Sequence, residues 1–260
     1  MEMDFLSPAL VFIATALFII LVINLGYFIG SRVYKQSHAE KESPASAISS
    51  TVLGLLAFIL AFTFGVVTNR FDTRRELTRE DANAIRNAWL RAEFLPEADQ
   101  IKAKALIKEY VDIRIAGVQS NKIEEIHKVM QRSAVIHRDL WKMPVENAKK
   151  DMNSDVAALY IESINELINY HALRISVGLQ TRIPQTIWNT LYILIGFSMM
   201  TVGYQTAIAG SKRSWTIPIL AISFSLVILL IVVLDRPGND FMGISQQPLI
   251  NLQSEMEINN

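Results

Sequence analysis

The fold class this sequence predicts is all-α: an integral membrane protein with four transmembrane helices and a helical-bundle soluble region between the second and third spans. Three observations carry that prediction. Residues 10–28, 49–68, 187–209 and 215–234 contain no Asp, Glu, Lys, Arg or His. Each is about 20 residues long, which at 1.5 Å per residue is what a helix needs to cross a hydrocarbon core about 30 Å thick. The third observation lies between them: residues 70–184 are charged and broken only by Pro96, Pro144, Pro184, Gly117 and Gly178. Such sparse punctuation suits long helices.

Composition narrows the function classes. The chain is 51% apolar and 19% charged with zero net charge, which fits spans plus one water-exposed region and gives no electrostatic footprint for nucleic acid. With no cysteine there is no disulfide, thiolate metal site or cysteine nucleophile. The expected organisation is an N-terminal transmembrane helix pair (1–69), a soluble helical region (70–184), a C-terminal transmembrane pair (185–236) and a tail (237–260).

The first span follows a start that carries Glu2 and Asp4 and no Lys or Arg. A secretory signal needs a basic leading region, so this span is expected to be a retained helix. Arg32, Lys35 and Lys41 follow it, and Lys212 and Arg213 follow the third span. Both loops fall on one side of a four-span protein, and Lys/Arg excess marks the cytoplasmic side. That places the termini and the middle region outside the cytoplasm, in a cell inner (plasma) membrane. Arg70, Arg74, Arg75 and Arg79 pull the other way. They lead into a region longer than about 60 residues, where the rule weakens.

In the second span Gly54, Ala57, Ala61 and Gly65 form a small-residue stripe, and Phe58 and Phe62 stand beside it. Two readings stay open. Small residues let helices approach closely in lipid. The same face could line a pore whose phenylalanine constriction gates by dewetting.

The helix begun in the second span is expected to run on to about residue 95, followed by helices at 97–118, 122–142 and 145–182. Within 70–85, Asp72 with Arg75 and Glu76 with Arg79 have the spacing of helix-surface ion pairs. They make either a solvated salt-bridged face or a charged ring at a pore mouth. In the last soluble helix Val156, Leu159, Tyr160, Ile164, Leu167 and Ile168, with His171 in line, form an amphipathic stripe. His171 reads as a satisfied core histidine.

The third span holds Gly196, Gly203 and, just past its end, Gly210 at seven-residue intervals, which suits close packing, and Trp188 and Trp215 sit where interface anchors do. Asp235 and Arg236 end the fourth span on the same predicted side as Arg70, Asp72, Arg174 and Arg182. Ionisable groups at a membrane boundary pair or line a water-filled path. Arg70, Asp72, Arg74, Arg75, Arg182, Asp235 and Arg236 are therefore a candidate boundary layer; Ala57, Phe58, Ala61, Phe62 and Gly65 are a candidate pore or constriction.

Catalytic signals are missing. His38, His127, His137 and His171 show no zinc spacing, and there is no phosphate-binding loop or nucleophile elbow. The expectation is a protein that is no enzyme, without cofactor or metal. Its expected partners are the lipid bilayer, further copies of itself and small ions, not nucleic acid.

Several segments together resemble the bacterial and plant membrane proteins called bestrophin-like, of unknown function. They are RFDTRRELTREDANAIRNAWLRAEFLP (70–96), YVDIRI (110–115), INELINYHALRI (164–175), RIP (182–184), GYQ (203–205), LDRP (234–237) and QQPLINL (246–252). Arg86-Asn87 stands where family members often have Gly-Thr, and Trp89 where Tyr is usual. The resemblance implies a four-span, mostly helical protein. The name borrows from bestrophins, which are oligomeric anion channels with phenylalanine-lined constrictions. It thus implies a candidate oligomeric channel, for anions by that analogy, lined by the second span. The alternative is a non-conducting membrane-anchored sensor, assembly factor or scaffold. Bestrophins keep their helical bulk in the cytoplasm, whereas the loop charges here place it outside.

Overall fold

The computed structural model describes residues 7–36, 42–120, 123–150, 155–210, 215–236 and 244–258. Among these residues all regular structure is helical. The α-helices are α1 (Pro8–Gln36), α2 (Glu42–Arg91), α3 (Glu97–Ser120), α4 (Ile123–Lys150), α5 (Asp155–Ile175), α6 (Gln185–Ile208), α7 (Thr216–Asp235) and α8 (Gln247–Ile258). A 3₁₀ turn covers Ala92–Phe94 and a π-helical turn covers Ser176–Gln180. Four helices are long and apolar enough to cross a membrane: α1, α2, α6 and α7. The basic loop residues Lys41, Lys212 and Arg213 lie outside the described residues. The chain divides into two compact units, Met1–Phe71 with Arg182–Arg236, and Asp72–Thr181 with Pro237–Asn260.

The first unit is held by close backbone packing. A Cβ added at Gly26 or Gly30 of α1 would run into the carbonyls of Met200 or Tyr204 in α6, and one at Gly203 of α6 would run into Ile23 O of α1. Small residues at these crossings let two helix backbones touch, which is how helices associate where lipid removes the hydrophobic drive. Around the seam Ile19, Ile23, Leu191, Ile195, Met199, Ile228 and Ile231 are buried. The Thr15 and Tyr192 hydroxyls bond at 3.0 Å. Of the seven-residue glycines, Gly203 packs at the seam and Gly196 meets only the Phe18 ring at 3.7 Å. Gly210 has φ +64°, the left-handed position just past α6, and its N–H donates to Ala207 O.

The second unit packs the outer part of α2 with α3, α4, α5 and α8. Its core includes Ile85 and Trp89 of α2, Ile107 and Tyr110 of α3, Ile136 and Leu140 of α4, and Tyr160, Ile164 and Leu167 of α5. Leu95 is extended because it precedes Pro96, and the Pro96 carbonyl then opens α3 by accepting from Asp99 and Gln100 N–H.

The helix boundaries differ from expectation around Pro144 and before Pro184, where α5 gives way at Ile175 to the π-helical turn and Thr181 is extended. Pro144 does not separate two helices; it sits inside α4, which runs on to Lys150. An interior proline costs a backbone hydrogen bond. Here Leu140, Met143 and Pro144 are all buried, and that apolar packing holds the turn helical. Of the predicted α5 stripe, Tyr160, Ile164 and Leu167 are buried, whereas Val156 and Leu159 are exposed. The tail segment forms α8, and its Leu249, Leu252 and Met256 are almost fully buried in the second unit's core.

Candidate functional site

Three groupings of residues bear on function. The first is the face of α2 within the apolar span. Leu56, Leu60, Thr63 and Val67 recur at three- and four-residue steps and are buried. The candidate constriction residues Ala57, Phe58, Ala61, Phe62 and Gly65 fall on the remaining surface and are all exposed, Phe58 at 67% and Phe62 at 66%. A Cβ added at Gly54 or Gly65 meets nothing within 4 Å, unlike the glycines of the α1–α6 seam. The hydroxyls of Thr51, Thr63 and Thr68 donate to their own helix at Ala47, Ile59 and Phe64 O.

The second grouping belongs to the boundary layer. In the first unit Asp235 ends α7 nearly buried, and its carboxylate accepts the Ile183 N–H at 3.2 and 3.4 Å. Arg182 Nη1 donates to the Asp235 carbonyl at 2.9 Å, and Arg70 Nη1 stands 3.7 Å from Asp235 Oδ1. The chain there enters α6 through Pro184, so the Asp235 carboxylate ties the backbone just before that helix to the end of α7. Arg236 is partly buried beside it. The other predicted members belong to the second unit. Arg74 is buried and donates to Val177 O at 3.4 Å and Thr181 O at 3.2 Å, serving carbonyls around the π-helical turn. Asp72 and Arg75 are exposed.

The third grouping, a polar centre inside the second unit, is one that sequence reasoning did not assemble. Asp81 of α2 is fully buried. Arg114 Nη1 of α3 lies 2.9 Å and Arg174 Nη1 of α5 lies 2.7 Å from Asp81 Oδ2. Arg174 also donates to Gln246 Oε1 at 3.1 Å, and Arg114 donates to Tyr110 Oη at 2.6 Å. The Tyr110 hydroxyl, which accepts from Arg114, also shares a hydrogen bond with His171 Nδ1 at 2.9 Å, whose direction follows the imidazole tautomer. His137 of α4 packs edge-on against both rings, 5.0 Å from Tyr110 and 4.7 Å from His171.

Burial and the neighbouring Arg114 push His137 down to about 4. His171 goes down to about 3 through burial, Arg114 and the second imidazole. Both rings are thus neutral at ordinary pH. Burial likewise drives the Tyr110 phenol far above its usual value and keeps it a hydroxyl. The expectation that His171 is a satisfied core histidine agrees with its bond to Tyr110. The signal for the rest lay in register: Thr78, Asp81, Ala82, Ile85, Ala88 and Trp89 share the buried face of α2, which makes Asp81 a charge on an apolar stripe.

Most members of the centre lie in segments that carry the family resemblance. Asp81 is in 70–96, Tyr110 and Arg114 in 110–115, His171 and Arg174 in 164–175, and Gln246 opens 246–252. Among the described residues no group of His, Cys, Asp and Glu is arranged to hold a metal ion.

The Bestrophin-like domain family is matched over residues 8–249. A crystal structure described as that of a membrane protein is similar over 95% of this chain and 96% of its own, with a TM-score of 0.58 and 17% identity, a likeness of fold. No curated protein matches the chain.

Proposed function

The chain belongs to the Bestrophin-like domain family, and from that premise we propose that this multi-pass membrane protein is a homo-oligomeric ion channel lined by α2. One observation carries the reading: the small and aromatic face of α2 that the chain's own helices leave uncovered. Lipid tails pack as well on leucine as on glycine, so small residues gain nothing against lipid but admit another helix. In this protein glycines at α1 and α6 serve that end within one chain. Gly54, Ala57, Ala61 and Gly65 serve it between copies, and Phe58 and Phe62 then form an apolar constriction that gates by dewetting. An anion is the ion we propose, by analogy with the bestrophins from which the family takes its name. The role is non-catalytic.

Ion flux into liposomes carrying the purified protein tests this. Flux above empty vesicles is expected, with Phe62→Ala raising the leak; no flux across several salts would sink the proposal. We further propose that the protein lies in the plasma membrane with both termini and the middle region outside the cytoplasm, the side that the basic loops favour. Reporter fusions at Gln119 and Asn260 check this, and cytoplasmic signals from both would reverse it.

A second reading, a non-conducting scaffold, draws on Leu90, Phe94 and Ile101, apolar side chains 52%, 51% and 66% exposed on the second unit. Cross-linking in cells that returned only the protein itself would count against that reading.

A further inference from the structure

We propose that the polar centre of the second unit binds a small monovalent anion, held by Arg114 and the Nε2 edge of His137. Charge is the first consideration. Among the described residues Asp81 is the one carboxylate bonded to either Arg114 or Arg174. One negative charge thus faces two positive ones, and Tyr110, His137, His171 and Gln246 add none while the imidazoles are neutral. An uncompensated charge taken from water is costly unless something pairs with it.

Polar atoms without a partner flank the Tyr110 ring. Arg114 is 8% exposed and engages its partners through Nη1, leaving Nε and Nη2 without one. His137 is also 8% exposed, and its Nε2 is buried with no hydrogen-bond partner. The two side chains share a neighbour: the Arg114 guanidinium is 5.1 Å and the His137 ring 5.0 Å from the Tyr110 ring centroid. A water molecule would satisfy Nε2 but leave the surplus charge. A monovalent anion accepts from both residues and brings the centre to neutrality, whereas a divalent one overshoots by one charge. The order of preference is therefore chloride or nitrate over sulfate.

This site does not depend on ion conduction, and its test reads binding. The full-length protein in detergent is unfolded thermally at fixed ionic strength while gluconate is replaced by chloride, nitrate or sulfate. A ligand that binds only the folded state raises the midpoint with the logarithm of its concentration. The midpoint is expected to rise for chloride and nitrate and less for sulfate. His137→Phe, which leaves both arginine–Asp81 pairs in place, should remove the rise, and Arg182→Gln in the first unit should keep it. No dependence in the unaltered protein, or an unchanged one in His137→Phe, overturns the proposal. Should that variant fail to fold, crystals of the unaltered protein in bromide give the answer. An anomalous peak beside Arg114 and His137 supports the site, and its absence from both residues overturns it.

Discussion

Asp81 takes two guanidiniums with one carboxylate, so it is the residue on which the second unit's polar centre turns. Replacing it by Asn would leave Arg114 and Arg174 without their counter-charge. Removing one partner of a buried ion pair costs about 3–5 kcal/mol, and Asp81→Asn should lower the denaturant midpoint of the second unit accordingly. The histidines predict a pH dependence of definite sign. His137 and His171 titrate at about 4 and about 3 in the folded protein, against about 6.5 in an unfolded chain. Between those values the unfolded state binds more protons. Stability is therefore complete above about pH 6.5 and falls on acidification toward pH 4, by at most about 1.4 kcal/mol per pH unit for each histidine. Unfolding midpoints at pH 7 and pH 5 check this, and a flat profile would refute it. The register of Asp81 on an apolar stripe was legible in the sequence. Its pairing with Arg114 and Arg174 was not, because that depends on which helices pack together, and hydrophobic periodicity marks a buried face without naming its partner.

At the scale of elements, the α1–α6 seam depends on backbone contact. Gly203→Ala would force a Cβ into Ile23 O, and no side-chain rotation relieves a clash with backbone. Overpacking of this kind costs about 1–3 kcal/mol, so the detergent-solubilised variant should melt earlier and be recovered in lower yield. Gly54→Ala is the informative contrast, because its Cβ meets nothing within the chain. It should leave single-chain stability unchanged and weaken self-association, measured by mass in detergent or nanodiscs. Equal effects of the two substitutions would contradict the reading of the α2 face. The spans were legible because a run of some 20 uncharged residues has few other uses. The break at Pro144 was misread because a proline signals a helix end only where packing does not hold the turn, and Leu140 and Met143 hold it here.

For the whole molecule, the division into two units shows what linear reading does and does not capture. Composition separated apolar from charged segments, yet residues 237–260 looked like a tail when taken alone. They join the second unit because Leu249, Leu252 and Met256 share its core, and because Gln246, Gln253 and Glu255 bond Arg174, Asp112 and Arg86. Three buried apolar side chains contribute about 1.5–3 kcal/mol each, comparable with the whole stability of a typical domain. Deleting 247–258 should therefore make the second unit protease-sensitive at temperatures where the intact protein resists.

The same arrangement sets an order of events during synthesis. The second unit cannot close until α8 has been made, and Ile258 at its end lies roughly 80 residues past Thr181. At about 5–20 residues per second their synthesis takes some 4–16 s. For that interval residues 72–181 wait with a cleft where Leu249, Leu252 and Met256 belong, while two further spans are threaded into the bilayer. Newly made protein should thus pass through a seconds-long stage in which its fate rests on holding factors, and the arrival of α8 ends it.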